Sequence, residues 1–578
     1  MSTSAQQLPA SQAQTDSTPL RFVTAASLFD GHDAAINVMR RIIQAQGAEV
    51  IHLGHNRSVE DVVRAALQED ADAIALSSYQ GGHVEYLKYM IDMLKERNAE
   101  HIRVFAGGGG TITPEEIKEL EAYGVERIYH PNDGMHMGLV AMIEDVVRRA
   151  ERARDSGLGT RDPDQIAANV DVDDEISVGH MLSALEDGLF SEPQLAMLRK
   201  QWRPKRGQSH FSNGVAGKVE ADESKSDSDP VLSRVPVLGL TGTGGAGKSS
   251  VVDELLLRFL HAFPDMRIAV LAVDPTRRRS GGALLGDRIR MNSLRSPRVF
   301  MRSMATRRAH AATSEVLHDC INFLKSQPYD LIIVETAGIG QSDSSIVDLV
   351  DFPMYVMTSD YGAASQLEKI DMIDFAELIV LNKYDRRGAE DALRDVRKQW
   401  KRNRTAFELA DEDVPVYPTI ASQFNDPGVT WMFVNLCRLL REKRGQSHFS
   451  SGVAGKVEAD ESKSDSDPVS FNPDLDTTLK EPRATILIPG NRVRYLAEIA
   501  EQGRGINEAI EHMADSASKA QHYYESLKEL DDPELPKALE PFANDALQIS
   551  NPESPIPALL RQRYNEALKD LTPEALDL

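Results

Sequence analysis

Cysteine is nearly absent. Only Cys320 and Cys437 occur in 578 residues, too few for a disulfide framework and in keeping with a reducing cytoplasm. Long apolar runs are missing too, and none approaches the ~18–20 residues of a membrane span. Basic charge is in deficit: 65 Lys and Arg stand against 89 Asp and Glu, a formal charge of −24. Broad nucleic-acid binding wants the opposite balance. Residues 1–19 lack both a basic start and an apolar stretch, so they read as a disordered tail, not a signal peptide. What is there is 41% hydrophobic and 27% charged, enough to fold as roughly three or four domains of about 150 residues.

One segment occurs twice. KRGQSHFSNGVAGKVEADESKSDSDPV at 205–231 returns at 443–469 with Ser451 in place of Asn213. Two distant copies do not make a solenoid, whose repeats stack on one another. Both are polar and poor in apolar side chains, so burial cannot offset the entropy of ordering them. They read as disordered inserts bracketing a block at 232–442.

The block at 20–150 alternates apolar runs with helical periodicity. Strands are expected at Arg21–Leu28, Glu49–Leu53, Ala73–Ser77, Ile102–Phe105 and Val125–Tyr129, with helices at Asp33–Gln46, Ser58–Leu67, Val84–Lys95 and Pro114–Tyr123. Five βα units predict a doubly wound parallel sheet of the flavodoxin-like kind, with its ligand beyond the carboxyl ends of the strands. Residues 151–204 read as a helical linker, with Ile176–Trp202 helical. The block at 232–442 alternates again, with strands at Val235–Leu240, Arg267–Val273, Leu331–Val334, Pro353–Met357, Leu378–Leu381 and Val414–Thr419. The fold class is therefore α/β, two doubly wound parallel-sheet domains joined by helical linkers. Residues 470–578 hold a long helical stretch, Arg492–Leu527, then several prolines and a last helix over Ala558–Leu571.

The clearest motif is Gly242-Thr-Gly244-Gly245-Ala246-Gly247-Lys248-Ser249, placed between a strand and the helical run Ser250–Leu260. This is a P-loop in its required context. Its glycines let backbone N–H groups converge on phosphate oxygens at a helix N-terminus. Lys248 reaches the outer phosphates, Ser249 holds Mg²⁺, and Ser250 completes the turn. Asn382-Lys383-Tyr384-Asp385 ends a later strand. A carboxylate there accepts two N–H bonds from guanine, whereas adenine presents the wrong pattern, so the nucleotide is expected to be GTP. Ser422 is a candidate for a last base-contacting loop. Glu335 and Thr336, Asp274 and Asp287 end strands or follow them and are candidates for the Mg²⁺ side. Lys248, Glu335 and Asp287 are the candidates for the catalytic machinery, and Arg290 for a nucleotide contact. No glutamine is evidently poised to orient an attacking water, so intrinsic hydrolysis is expected to be slow.

Taken in order, GTGGAGKSS, VDP, GGALLGDRIRM, ETAGIGQSD and NKYD resemble the metallochaperone G-proteins that serve cobalamin-dependent acyl-CoA mutases. The resemblance implies GTP hydrolysis that gates cofactor loading. The first block carries a separate resemblance, to the cobalamin-binding domains of such mutases. Asp30-x-His32-x-x-Ala35 is followed after 41 residues by Ser77-Ser78-Tyr79, and after 27 more by Gly107-Gly108. Ala35 and Tyr79 depart from the Gly and Leu of that pattern. An imidazole nitrogen is a good donor to cobalt, so His32 is the candidate ligand, with Asp30 fixing its tautomer. Ser77 is a candidate partner for the nucleotide tail, and the glycines from Gly107 leave that tail room. His52, His55 and His83 read as ordinary loop or strand-end histidines.

Together the two blocks resemble the N-terminal part of the fused acyl-CoA mutases of the isobutyryl-CoA type. This implies adenosylcobalamin, GTP and Mg²⁺ as cofactors, a homo-oligomer such as a dimer, a cytoplasmic setting, and no nucleic-acid or membrane partner. A (β/α)₈ barrel needs at least about 200 residues, and too few follow the last linker. The expected partner is therefore a TIM-barrel mutase domain or subunit. The alternative is a stand-alone GTPase chaperone that delivers cobalamin to a separate methylmalonyl-CoA-type mutase.

Overall fold

Apolar runs buried on both faces, alternating with amphipathic helices, build parallel sheets. The computed structural model describes residues 18–32, 34–156, 162–168, 170–171, 174–202, 235–276, 281–307, 310–336, 346–361, 367, 370–446, 471–482, 495–547 and 555–572. The first copy of the repeat, the second copy beyond Gln446, and nearly all of the tail expected at 1–19 lie outside them; Lys443–Gln446, expected to open the second insert, instead end a helix over Pro427–Gln446.

In the first block β1 (Arg21–Ser27), β2 (Glu49–Arg57), β3 (Ala73–Ser77), β4 (Arg103–Gly107) and β5 (Arg127–Tyr129) alternate with α1 (Ala34–Ala45), α2 (Val59–Gln68), α3 (His83–Glu96) and α4 (Pro114–Tyr123). Helices α5 (Pro131–Met137) and α6 (Leu139–Asp155) follow. Local chemistry sets the helix starts. Ser58 Oγ accepts from the Asp61 amide at 3.1 Å. Thr113 and Glu116 form a reciprocal capping box ahead of Pro114.

Helices α7 (Pro163–Ala168), α8 (Glu175–Glu186) and α9 (Glu192–Gln201) lead to the second block. The helical run expected over Ile176–Trp202 is split in two, because Gly188 takes a positive φ of 66° just past the end of α8. The second block holds β6 (Val237–Gly242), α10 (Lys248–Ala262), β7 (Ile268–Pro275), β8 (Ala283–Leu285), β9 (Val299–Thr306), α11 (His310–Lys325), β10 (Leu331–Thr336), β11 (Phe352–Met357), β12 (Leu378–Asn382) and β13 (Val416–Thr419). Seven of these strands form a parallel sheet in the order β13-β12-β11-β6-β10-β7-β9.

The eighth goes elsewhere. The first sheet runs β5-β4-β3-β1-β2-β8, so β8 leaves its own block and joins the edge of the other. Glu49, Val50 and Ile51 pair in parallel with Ala283, Leu284 and Leu285. Glycine permits the approach: a Cβ on Gly282 would lie 2.3 Å from the Gln44 carbonyl oxygen and 2.7 Å from that of Ala48. Strand order in the first sheet reverses between β1 and β3, which opens a crevice beyond their carboxyl ends.

Residues 485–578 form a separate unit. A helix over Tyr495–Glu529 packs against another over Ile556–Lys569, around Leu527, Phe542 and Tyr564. Arg561 Nε donates to Asp532 Oδ2 at 2.8 Å and pins the intervening turn. Both sheets are open, and there is no closed barrel among the described residues. No helix among them is long and apolar enough to cross a membrane.

Candidate functional site

The crevice of the first sheet collects the spaced motif. Asp30 is fully buried. Its Oδ1 accepts from the His32 amide at 2.9 Å and lies 2.9 Å from His32 Nδ1, and its Oδ2 accepts from the Tyr79 amide at 2.7 Å. An ionised carboxylate only accepts, so Nδ1 carries the hydrogen and Nε2 keeps its lone pair. The His32 side chain is 65% exposed, free to meet a ligand arriving over the crevice. Tyr79, the departure from the expected pattern, is useful here. Its amide holds Asp30, and its ring sits 5.6 Å from the His32 ring, centre to centre.

Below them, Ser77 Oγ is buried with no hydrogen-bond partner. A buried hydroxyl left so costs free energy unless something polar arrives. Gly108 faces the same wall: a Cβ there would lie 1.9 Å from the Ser78 carbonyl oxygen. Gly107 is less crowded, with 3.6 Å to the Tyr129 oxygen. An orphan hydroxyl and a backbone that admits no side chain fit the tail of a large cofactor. His52 and His83 are engaged elsewhere. His52 Nδ1 lies 2.9 Å from Thr24 Oγ1, His83 Nε2 lies 3.2 Å from Glu116, and His55 is exposed.

The second crevice lies at the carboxyl end of β6. Gly242 has φ 151°, and its Cβ would lie 1.9 Å from the Val356 oxygen; Gly247 has φ 93°, and its Cβ would lie 2.5 Å from Asn382 Nδ2. Gly244 and Gly245 are open and exposed, Ala246 is buried, and Ser250 is half-buried. Lys248 Nζ donates to the Gly242 oxygen at 3.1 Å, curled over the loop it would release to bind phosphate. Ser249 Oγ donates to Glu335 Oε1 at 2.8 Å.

Glu335 is one of three buried carboxyls that act on one another here, with Asp274 and Asp287. Burial first, then the field of Asp287, pushes Glu335 up to about 8. Burial first, then Asp287, pushes Asp274 up to about 7. Burial also raises Asp287. Glu335 Oε2 is buried and unpaired. Oxygen donors of this number suit a hard divalent cation, whose charge would favour the ionised form of all three. Thr336 points its hydroxyl toward the Leu240 oxygen at 3.5 Å, and Arg290 is exposed beside Asp287.

The base side is braced by Asn382. Its Nδ2 donates to the Ala246 oxygen at 2.8 Å, and its Oδ1 accepts from the Ala421 amide at 3.0 Å. Lys383, at φ 58°, donates from Nζ to the Gly245 oxygen at 2.7 Å. Asp385 and Ser422 are exposed, with their polar atoms available to a base.

Sequence reasoning missed what joins the two crevices. One residue after Asp287, the buried Arg288 donates from Nε to Glu69 Oε1 at 2.6 Å and from Nη2 to Gln68 Oε1 at 3.0 Å, both in the first block. Behind it, Arg302 Nη2 and Arg21 Nη2 meet Glu186 Oε2 at 2.6 and 2.7 Å. Arg307 pairs with Glu49 at 2.5 Å and with Asp187. Burial alone would raise Glu186, but Arg21, Arg302 and Arg307 outweigh it and hold the carboxyl at about 2. The available signal was an arginine in each of two otherwise uncharged strands, β1 and β9.

Comparison with known proteins matches each of the two blocks to a family. Residues 215–429 match the family described as methylmalonyl Co-A mutase-associated GTPase MeaB, and residues 20–135 match the B12 binding domain. A fused isobutyryl-CoA mutase of Geobacillus kaustophilus is 46% identical over 500 residues, covering 86% of this chain and 42% of that protein. The protein of the same description from Cupriavidus metallidurans is 48% identical, over 88% of this chain and 42% of its own length. A putative GTPase of Pyrococcus abyssi is 31% identical over 44% of this chain and 85% of its own. The chain thus spans about two-fifths of the fused relatives it matches. It is similar to the fused isobutyryl-CoA mutases over that share of their length, and carries one region matching the B12 binding domain and one matching the MeaB GTPase family.

Proposed function

We propose that this chain binds adenosylcobalamin through His32 and hydrolyses GTP to gate loading of that cofactor for an acyl-CoA mutase barrel of the isobutyryl-CoA and n-butyryl-CoA type. His32 offers Nε2 to cobalt, Asp30 holds the ring in that tautomer, and Ser77 takes up a polar group of the tail that passes Gly107 and Gly108. When bound, the cofactor supplies the organic radical that a carbon-skeleton rearrangement requires. The P-loop from Gly242 to Ser250 holds the phosphates with Lys248, and Asp385 and Ser422 read guanine over a floor set by Asn382 and Lys383. Ser249, Asp274, Asp287, Glu335 and Thr336 form the Mg²⁺ side, with Arg290 near the phosphates. The barrel comes from a partner subunit or a longer chain, in a cytoplasmic homo-oligomer. Two buried, unpaired cysteines support a reducing setting.

One observation carries the gating. Asp287 sits among the acids of the nucleotide crevice, and its neighbour Arg288 is locked into Glu69 and Gln68 of the cobalamin block. Anything that draws Asp287 toward a cation pulls on that lock. The test is spectroscopic. The purified chain should show an imidazole-coordinated cobalamin spectrum that His32→Ala loses, and Mg²⁺–GTP should change its cobalamin affinity. Identical spectra for the two proteins would overturn the cobalt assignment. Transfer of cofactor to a separate holoenzyme, with this chain then released, would favour a delivery role instead.

A further inference from the structure

The crevices do not use the opposite end of the first sheet, and three metal-ligating side chains meet there. Asp70, His101 and His180 each place a ligand atom within 4.8 Å of the others, the one such group of His, Cys, Asp or Glu found among the described residues. Asp70 Oδ1 lies 3.2 Å from His180 Nε2. The His101 and His180 rings are 5.8 Å apart, centre to centre. The three come from different places: the turn just after α2, the turn before β4, and the middle of α8.

Two features bring them together. Asp70 follows α2 in the left-handed region, at φ 48°, where Gly is usual and Asp is tolerated at a cost. Its side chain is nevertheless nearly buried, at 3% exposure. Helix α8 then approaches the end of α2 across Gly179, whose Cβ would lie 2.8 Å from the Leu67 oxygen and 3.2 Å from that of Gln68. A larger residue at 179 would hold His180 away. The His180 side chain is 30% exposed, so an ion and a water can enter.

We propose that Asp70, His101 and His180 form a site for a divalent transition-metal ion of the zinc class, with water as fourth ligand. Two imidazoles and one carboxylate suit zinc rather than magnesium or calcium. At zinc–ligand distances of about 2.0–2.2 Å, tetrahedral ligand atoms stand roughly 3.3–3.5 Å apart. Asp70 and His180 are already near that separation, and His101 closes with a small side-chain adjustment. The role is structural: the ion staples α8 to the cobalamin block, while Glu186 at the other end of α8 ties the same helix to Arg21 and Arg302. A bare ion pair between His180 and Asp70 is the competing explanation.

The experiment strips the full chain with chelator, saturates it with Mg²⁺–GDP, and titrates Zn²⁺ by calorimetry with melting temperature in parallel. His32→Ala serves as a control for zinc at the exposed crevice histidine and should leave the high-affinity binding unchanged. The wild type should take up one tight equivalent and melt higher with zinc. The double variant H101A/H180A should lose that equivalent, with affinity down at least 100-fold and no zinc-dependent shift. Asp70→Asn, which suits the left-handed backbone, should weaken zinc at least 10-fold while melting normally without it. Equal zinc binding by the wild type and the double variant, or no tight binding by either, overturns the proposal.

Discussion

Arg288→Met tests whether the two crevices are mechanically joined. The pair Arg288–Glu69 is 4% and 0% exposed, at 2.6 Å. Methionine keeps most of the aliphatic stem but leaves Glu69, Gln68 and the Met301 oxygen without the guanidinium. Removing one partner of a buried pair costs roughly 3–5 kcal/mol. Glu69 still accepts from the Ser303 amide at 3.0 Å and from Ser303 Oγ at 2.9 Å, so the lower end applies, about 3 kcal/mol. Glu69→Gln should cost a similar amount, since it leaves Arg288 buried beside a neutral amide. The double variant removes both charges and should cost less than the sum, by about 1–3 kcal/mol. Urea unfolding followed by tryptophan fluorescence reads this, because Trp202, Trp400 and Trp431 all lie in or beside the second block. A chain of several domains need not unfold in one step, so the first transition is the one compared. Arg288→Met should also abolish the effect of Mg²⁺–GTP on cobalamin affinity while the chain still binds nucleotide. Single-variant costs that add to within about 0.5 kcal/mol, with GTP coupling intact, would refute the reasoning.

The remaining predictions concern each crevice and the ion network. Gly108→Ala sets a Cβ against the Ser78 oxygen; it should cost about 1–3 kcal/mol and abolish cobalamin binding by absorbance titration, whereas Gly110→Ala, with nothing within 4 Å, should leave stability unchanged. Mg²⁺ binding should release protons at neutral pH, because Glu335 near 8 and Asp274 near 7 must ionise as the cation enters; calorimetry in buffers of different ionisation enthalpy measures this, and equal heats would contradict it. Glu186, about 2 in the fold against 4.5 ordinarily, stabilises the native state above roughly pH 4.5 by about 3 kcal/mol. That contribution drains away as pH falls toward 2, so Glu186→Gln should flatten the acid side of the stability profile measured by denaturation at stepped pH.

Both crevices were legible because their chemistry is written in residues close together in the chain. Gly242 and Gly247 are glycine since a side chain would strike Val356 or Asn382, and that need shows in the local sequence as a P-loop. Asp30, Ser77 and Gly108 end three neighbouring strands, so regular βα spacing reveals them. The join between the blocks has no such local mark. Strand β8 is three residues long and pairs with a partner more than 230 residues earlier, so no period can announce it. It stood out only as a run resembling a family. Glu49, Glu69 and Glu186 look like surface carboxylates in a chain with an acid excess, yet all are buried. Burial of an arginine demands acids nearby. Arg21 in RFVTAAS and Arg302 in VFMRSMAT each break a strand that is otherwise uncharged. Each such arginine requires a buried acid nearby, and Glu186 on α8 serves both.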